Sequence, residues 1–317
     1  MLERKLGRSD LSVSVLCFGG NVLGWTVNAQ DAFVVLDAFV DGGGNFIDTA
    51  DVYGNGTSET ILSKWMKARN NRERIILATK VGSQMDNNPE MRGLSRRYIL
   101  SEVDASLKRL QTDYIDLYQT HRDDQNTPLD ETLSALTELV QQGKVRYIGA
   151  SNYSATRLRK ALQISQLHGF ARFESVQPPY NLVNRGEYEG GLEELCLEQD
   201  IGVITYSSLA SGFLTGKYRP SQPLPSSPRA KRIRERYMNQ NGFSVLEQID
   251  HIAEASHATD AQVALAWIMA RPGITSAIAS ATSVDQVQEL LGSVSLKLSE
   301  EQMAALDTAS AWSKNSR

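Results

Sequence analysis

The sequence predicts an α/β protein, a (β/α)₈ TIM barrel with an N-terminal β-hairpin and extra C-terminal helices, as one domain over residues 1–317. Three observations predict it. Short apolar runs alternate with segments of helical periodicity, eight times over, and parallel strands need such crossovers. The first run is followed by Gly19-Gly20-Asn21-Val22-Leu23-Gly24, which is not the G-x-G-x-x-G of an open dinucleotide-binding sheet, and no Walker loop is present. Finally, Asp48, Tyr53, Lys80 and His121 lie at or just past the ends of successive runs. In a closed barrel those ends converge on one face.

Each element follows from local signals. Leu2–Leu6 and Leu11–Val13 flank the turn Gly7-Arg8-Ser9-Asp10, which reads as a hairpin. Strand 15–18 precedes helix 31–41, which Gly42-Gly43-Gly44 stops. Strand 45–47 precedes helix 57–69, with Ile61, Leu62 and Trp65 on its buried face. Strands 75–79 and 114–118 precede helices 95–109 and 129–142. Strands 145–149 and 173–176 precede helices 154–167 and 189–199. Strand 203–205 leads into a long irregular stretch and helices 244–256 and 260–271. Strand 277–279 precedes helix 283–292, and Ser299 with Gln302 marks a capping box for helix 299–310. Residues 218–243 break the rhythm with four prolines and the basic run Arg229, Lys231, Arg232, Arg234, Arg236. A loop of that length reads as functional or disordered.

Composition narrows the function. A net charge of −4 gives no electrostatic case for nucleic acid or an anionic membrane. No apolar run approaches a membrane span, and Met1–Lys5 lacks a signal-peptide core. Cys17 and Cys196, the only cysteines, fall in apolar runs and read as buried thiols of a reducing compartment, so a cytoplasmic setting is expected. No long apolar surface stripe decides for or against an oligomer.

The four strand-end residues suit proton transfer. A free phenol titrates near ~10, and a nearby ammonium favours its phenolate. Lys80 is expected to lower the Tyr53 pKa in this way, with Asp48 holding Lys80 and His121 orienting a substrate oxygen. Taken singly, a tyrosine or lysine after a strand is ordinarily packed or solvated. Four such groups at successive strand ends point to a site that protonates an oxygen as charge develops on it.

Residues 44–54, GNFIDTADVYG, resemble the first signature of the aldo-keto reductase superfamily. Ile76–Val81 and Asp116–His121 resemble the next two. The resemblance spans nearly the whole chain, to bacterial-type and channel-β-subunit-like members alike. It implies NADPH-dependent reduction of aldehydes and ketones without a metal. By that match Tyr53 is the general acid, Lys80 and Asp48 tune it, and His121 orients the carbonyl. Ser151, Asn152 and Gln177 match contacts to the nicotinamide carboxamide, and Tyr206 the stacking ring. The segment 207–217, with Ser207, Leu209, Gly212, Leu214, Gly216 and Lys217, resembles the pyrophosphate loop, and Gly20 and Asn21 belong to the same cofactor-binding set. Read without the family, Ser151 and Asn152 are helix N-cap residues.

The adenosine end departs from the family pattern. Ser280, Thr282, Gln286 and Glu289 fill it, where many members carry cations at the first and third of these positions. Glutamine cannot make the charge-assisted fork that arginine makes to phosphate. The cofactor expected is therefore NADP(H), with NAD(H) also compatible. Arg229 and Lys231 are candidates to fold over the phosphates as a lid. Trp25, Tyr53, Met85 and Arg122 are the expected substrate-pocket walls, with Val22 and the loop 82–94 (including Asp86-Asn87-Asn88-Pro89) beside them. The expected substrate is a small carbonyl compound. The alternatives are a cofactor-holding regulatory subunit with little turnover, or a barrel isomerase or hydrolase without nicotinamide.

Overall fold

The computed structural model describes residues 1–312 except 87 and 89. It opens with the antiparallel hairpin β1 (Glu3–Lys5) and β2 (Ser12–Ser14). A closed parallel barrel follows, built from β3 (Leu16–Gly19), β4 (Phe46–Asp48), β5 (Ile76–Val81), β6 (Ile115–Thr120), β7 (Val145–Ser151), β8 (Phe173–Gln177), β9 (Gly202–Thr205) and β10 (Ile274–Ala279). The strands stand in sequence order, and β10 closes the ring against β3. This is the (β/α)₈ fold that the alternation predicts.

Helices α1 (Ala29–Asp41), α2 (Thr57–Arg69), α3 (Arg96–Leu110), α4 (Leu129–Gln141) and α5 (Ala155–His168) cover the first strands. Then come α6 (Gly186–Glu189), α7 (Leu192–Gln199), α8 (Ala230–Tyr237), α9 (Gln240–Ser256), α10 (Asp260–Ala270), α11 (Val284–Gly292) and α12 (Glu300–Ala309). The caps agree with the sequence signals. Ser299 caps α12 in a capping box with Gln302, and Thr259 with Gln262 does the same for α10. Helix α10 is buried nearly all round, from Val263 to Met269, as an apolar helix between neighbours must be.

Three stretches differ from the sequence reading. Helix α1 starts at Ala29 because Asn28 accepts from Gln30 N and Asp31 N as its N-cap. The helix expected over 189–199 is divided by Gly190-Gly191, the latter in the left-handed region at φ 116°. The stretch 218–243 is not a continuous loop. Once past Pro228 the chain forms α8, burying Ala230, Ile233 and Tyr237, and α9 begins at Gln240 rather than 244.

The barrel interior explains where the site lies. Side chains alternate with a period of two along a strand. Cys17, Phe46, Ala78, Leu117, Ile204 and Ile278 form an inward layer, and the hairpin residues Leu6, Leu11 and Val13 pack beneath it. The hairpin thus closes the barrel floor. Two residues on from Phe46, Ala78 and Leu117 come Asp48, Lys80 and Gln119, which the same periodicity aims into the barrel one layer higher. Gly149 makes room for this layer: a Cβ there would stand 2.4 Å from Ser175 Oγ and 3.2 Å from Gln119 Cγ. Both thiols are free and buried. No described helix is long and apolar enough to cross a membrane.

Candidate active site

Lys80 is fully buried at the end of β5, and its Nζ donates to Asp48 Oδ2 at 2.5 Å and to the Thr49 carbonyl at 2.8 Å. The other carboxylate oxygen, Asp48 Oδ1, accepts from Gln119 Nε2 at 3.0 Å and Gln177 Nε2 at 2.9 Å. Gln177 Nε2 also reaches Gln119 Oε1 at 3.2 Å. A charge buried at this depth needs both a counter-charge and full hydrogen bonding, and the pair has both. Burial works against the Lys80 charge, but Asp48 and Tyr53 outweigh it and hold the amine above its ordinary value.

Tyr53 stands beside this pair. Lys80 Nζ is 5.1 Å from the centroid of its ring. His121 meets the same ring edge-on, with centroids 5.8 Å apart and planes at 84°. Lys80 acts on the phenol's pKa in the expected, lowering sense, but the expectation of a lowered phenol does not follow. Burial raises it, and although Lys80 pulls the other way, the net direction is up. Tyr53 therefore keeps its proton at neutral pH, as a donor must. The Lys80 charge gains its full effect only when the phenolate forms. His121 is depressed to about 3 by burial, with Lys80 and Arg122 adding repulsion. It is a neutral imidazole, and its buried Nδ1 has no partner among the described residues.

Behind Tyr53 lies a buried acidic network. Glu59 accepts from Thr79 Oγ1 at 2.7 Å and Arg109 Nε at 2.6 Å, and Arg109 Nη2 also donates to Glu102 Oε1 at 2.5 Å. Gly56, the α2 N-cap at φ 85°, leaves space for this arginine, since a Cβ would meet Arg109 Cδ at 2.4 Å. Asp51 is fully buried here, and its Oδ2 has no hydrogen-bond partner among the described residues. Burial, with Glu102 and Glu59 nearby, pushes its carboxyl well up.

A cavity of about 1150 Å³ runs across the top of the barrel from Tyr53 and His121 to α11. Asp48, Tyr53 and His121 line one part of it, with Asn21, Val22, Trp25 and Arg122 beside them. Ser151, Asn152, Gln177 and Tyr206 form an adjoining wall. Tyr206 donates its hydroxyl to Asn152 Oδ1 at 2.8 Å, Asn152 Nδ2 donates to the His121 carbonyl at 2.9 Å, and Ser151 Oγ donates to the Gln177 carbonyl at 2.9 Å. Asn152 adopts φ 57°, and the cap of α5 is Ser154. The helix-cap reading of Ser151 and Asn152 is thereby corrected: both side chains bond across strand ends.

Ser207, Leu209, Gly212 and Lys217 continue the wall, with Ser208, Ser211 and Thr215 between them. Ala210, Ser211 and Gly212 are successive left-handed residues (φ 49°, 62° and 102°). Such strain at non-glycine positions persists only where surrounding structure holds it, and it collects at ligand sites. Ser280, Thr282, Gln286 and Glu289 close the far end. Gln286 Oε1 accepts from Thr282 N at 2.8 Å and Thr282 Oγ1 at 3.1 Å, while Ser280 Oγ donates to Gly19 O at 2.8 Å and Asn21 Oδ1 at 2.7 Å.

Four expected contacts stand off the wall. Gly20 packs against β4, where a Cβ would lie 3.1 Å from Asp48 O and Ser58 Oγ. Leu214 is fully buried, and Gly216 is the left-handed end of its turn, close to Asp260. Met85 is 5% exposed and its N–H bonds the Met91 carbonyl, so it packs under its own loop. Asn87 and Pro89 of that loop lie outside the described residues. The suggested lid pair divides as well. Arg229 lines the cavity and lies over the Trp25 ring at 5.0 Å, whereas Lys231 is exposed away from the cavity and Arg232 takes its place on the wall.

Gln119 was missed by sequence reasoning. The signal was available, since a residue two before His121 on a strand shares its inward face. The Trp25–Arg229 contact had no comparable signal.

The chain is similar to known proteins over nearly its whole length. Protein tas of Escherichia coli is 32% identical over 336 residues, covering 97% of each chain. A probable voltage-gated potassium channel subunit beta of Arabidopsis thaliana is 34% identical over 303 residues, covering 93% of this chain and 91% of its own. An uncharacterised oxidoreductase, YrpG of Bacillus subtilis, is 35% identical over 313 residues, covering 95% and 94%. The model of the aldo/keto reductase family matches residues 15–311, and the chain belongs to that family.

Proposed function

We propose that this aldo/keto reductase reduces aldehydes or ketones to alcohols, using NADP(H) or NAD(H), with Tyr53 as the general acid. The observation that carries the reading is the contact set Tyr53–Lys80–Asp48 with neutral His121 against the same ring. The long polar cavity with its strained Ala210–Gly212 turn fits a dinucleotide. Ser151, Asn152 and Gln177 would hold the carboxamide, and Tyr206 the nicotinamide face. The 207–217 turn would hold the pyrophosphate, and Ser280, Thr282, Gln286 and Glu289 the adenosine end.

A bound reduced nicotinamide supplies the hydride. The protein supplies the rest. His121, uncharged, donates a hydrogen bond to the carbonyl oxygen and fixes its direction. Tyr53 gives its proton to that oxygen as negative charge develops. Lys80 stabilises the phenolate left behind, and Asp48 keeps Lys80 charged and in place. The stabilisation appears as charge forms, which is where it accelerates a reaction.

The test is oxidation of NADPH and NADH, side by side, with an activated aromatic aldehyde. Aldehyde-dependent oxidation of either supports the reading, and the ratio reports how the uncharged Ser280/Gln286 end discriminates. A second reading, a regulatory subunit with little turnover, draws on the likeness to the Arabidopsis channel subunit. One stoichiometric cycle followed by slow cofactor exchange would favour it.

A further inference from the structure

Arg122 follows His121 directly and lines the same cavity, yet it forms no ion pair among the described residues. Its two acidic neighbours are already engaged. Asp123 accepts from Arg157 Nε at 2.8 Å. Asp124 accepts from Leu94 N at 2.9 Å and Thr127 Oγ1 at 2.7 Å through one oxygen, and from Asn126 N at 3.0 Å through the other. An exposed guanidinium therefore stands at the mouth with its fork free, close enough for His121 to feel its charge.

The barrel order says what that charge cannot be for. Arg122 follows β6, and Gln286 and Glu289 follow β10, which is four strands away in either direction around the ring of eight. The other Lys and Arg residues on the wall, Lys217, Arg229 and Arg232, all follow β9, beside β10. A dinucleotide lying from the Ser151–Gln177 wall to α11 places its phosphates on their side. Arg122 is left facing the reacting end, with the half-exposed Trp25 also on that wall.

We infer that the substrates of this enzyme carry an anionic group, carboxylate or phosphate, that Arg122 grips while the carbonyl lies between Tyr53 and His121. The inference rests on the reductase reading of the site. Planar, bidentate recognition of such anions is what a guanidinium does better than any other side chain, and an unpaired one beside a neutral imidazole selects for charge at the remote end of the substrate.

The experiment compares kcat/KM for 4-carboxybenzaldehyde, 4-formylphenyl phosphate and the neutral methyl 4-formylbenzoate, in the wild type, Arg122→Gln and Arg122→Lys. The expected wild-type preference for at least one anionic aldehyde is about tenfold or more. Arg122→Gln should bring the ratio close to one, and Arg122→Lys should keep part of it. Which anionic aldehyde is favoured separates carboxylate from phosphate. A wild-type ratio near one, or a ratio that Arg122→Gln leaves intact, overturns the inference. Absence of turnover with all three would count against the reductase reading instead. In that case calorimetric binding of 4-carboxybenzyl alcohol, with and without NADP⁺, decides: weaker binding to Arg122→Gln supports the anion site, and equal binding to both proteins rejects it.

Discussion

Asp48 and Lys80 meet through a 2.5 Å hydrogen bond inside the barrel, and the carboxylate's second oxygen takes two glutamine amides. The pair has a structural consequence besides the catalytic role proposed for it. Lys80→Met leaves a buried carboxylate without its counter-charge, which costs about 3–5 kcal/mol. The urea midpoint should fall accordingly, and reduction should fall with it. A variant as stable as the wild type would refute the structural role of the pair.

Tyr53→Phe keeps the ring that His121 and Lys80 pack against and deletes the proton. Loss of a general acid costs roughly 10²–10⁴-fold in rate. Cofactor affinity should hold, because the hydroxyl acts on the carbonyl. Unaltered kcat would remove Tyr53 from the role proposed for it.

His121 gives a pH prediction with a definite sign. Its folded value of about 3 lies below the ordinary 6.5, so the unfolded chain binds the extra proton across that interval. The stability that depends on a neutral His121 is complete above the ordinary value and is lost as pH falls towards the folded one. The stability difference between wild type and His121→Gln should therefore grow with pH through that window, by at most ~1.4 kcal/mol per unit, and then level off. A flat difference, measured by denaturation at several pH values, would show that the imidazole titrates normally.

Asp51 should behave in the opposite sense. Its carboxyl is pushed well above the usual range by burial beside Glu102 and Glu59. The folded state holds that proton after the unfolded state has released it, so its contribution falls as pH rises. Asp51→Asn keeps an acceptor for the Val52 N–H, which now bonds Oδ1 at 2.6 Å. The variant should gain stability over the wild type as pH rises above the ordinary aspartate value of ~4, where the wild-type acid meets this cost. No gain at higher pH would place an unseen partner on Oδ2.

Much of the fold was legible because strand periodicity and helix signals agree along most of the chain. Phe46 and Asp48, or Ala78 and Lys80, declare a shared inward face by spacing alone. The stretch 218–243 was illegible for a physical reason: four prolines mask the start of α8, and its apolar positions Ala230, Ile233 and Tyr237 are too few to stand out among five cations. In the site, residue identity pointed to Tyr53 and Lys80, but the balance between burial and charge did not follow from it. Proximity to Lys80 argued for a lowered phenol, while burial, which a sequence does not display, reverses the direction. Asn152 was ambiguous in the same way, since only its left-handed backbone separates it from the helix that Ser154 begins.

The hairpin beneath the barrel has an architectural meaning. Leu6, Leu11 and Val13 cover the underside of the inward layer, so one mouth of the barrel is given over to apolar packing. The polar side chains gather at the other mouth, where the strands end. The two ends of one barrel thus divide the labour, anchorage below and polar contact above.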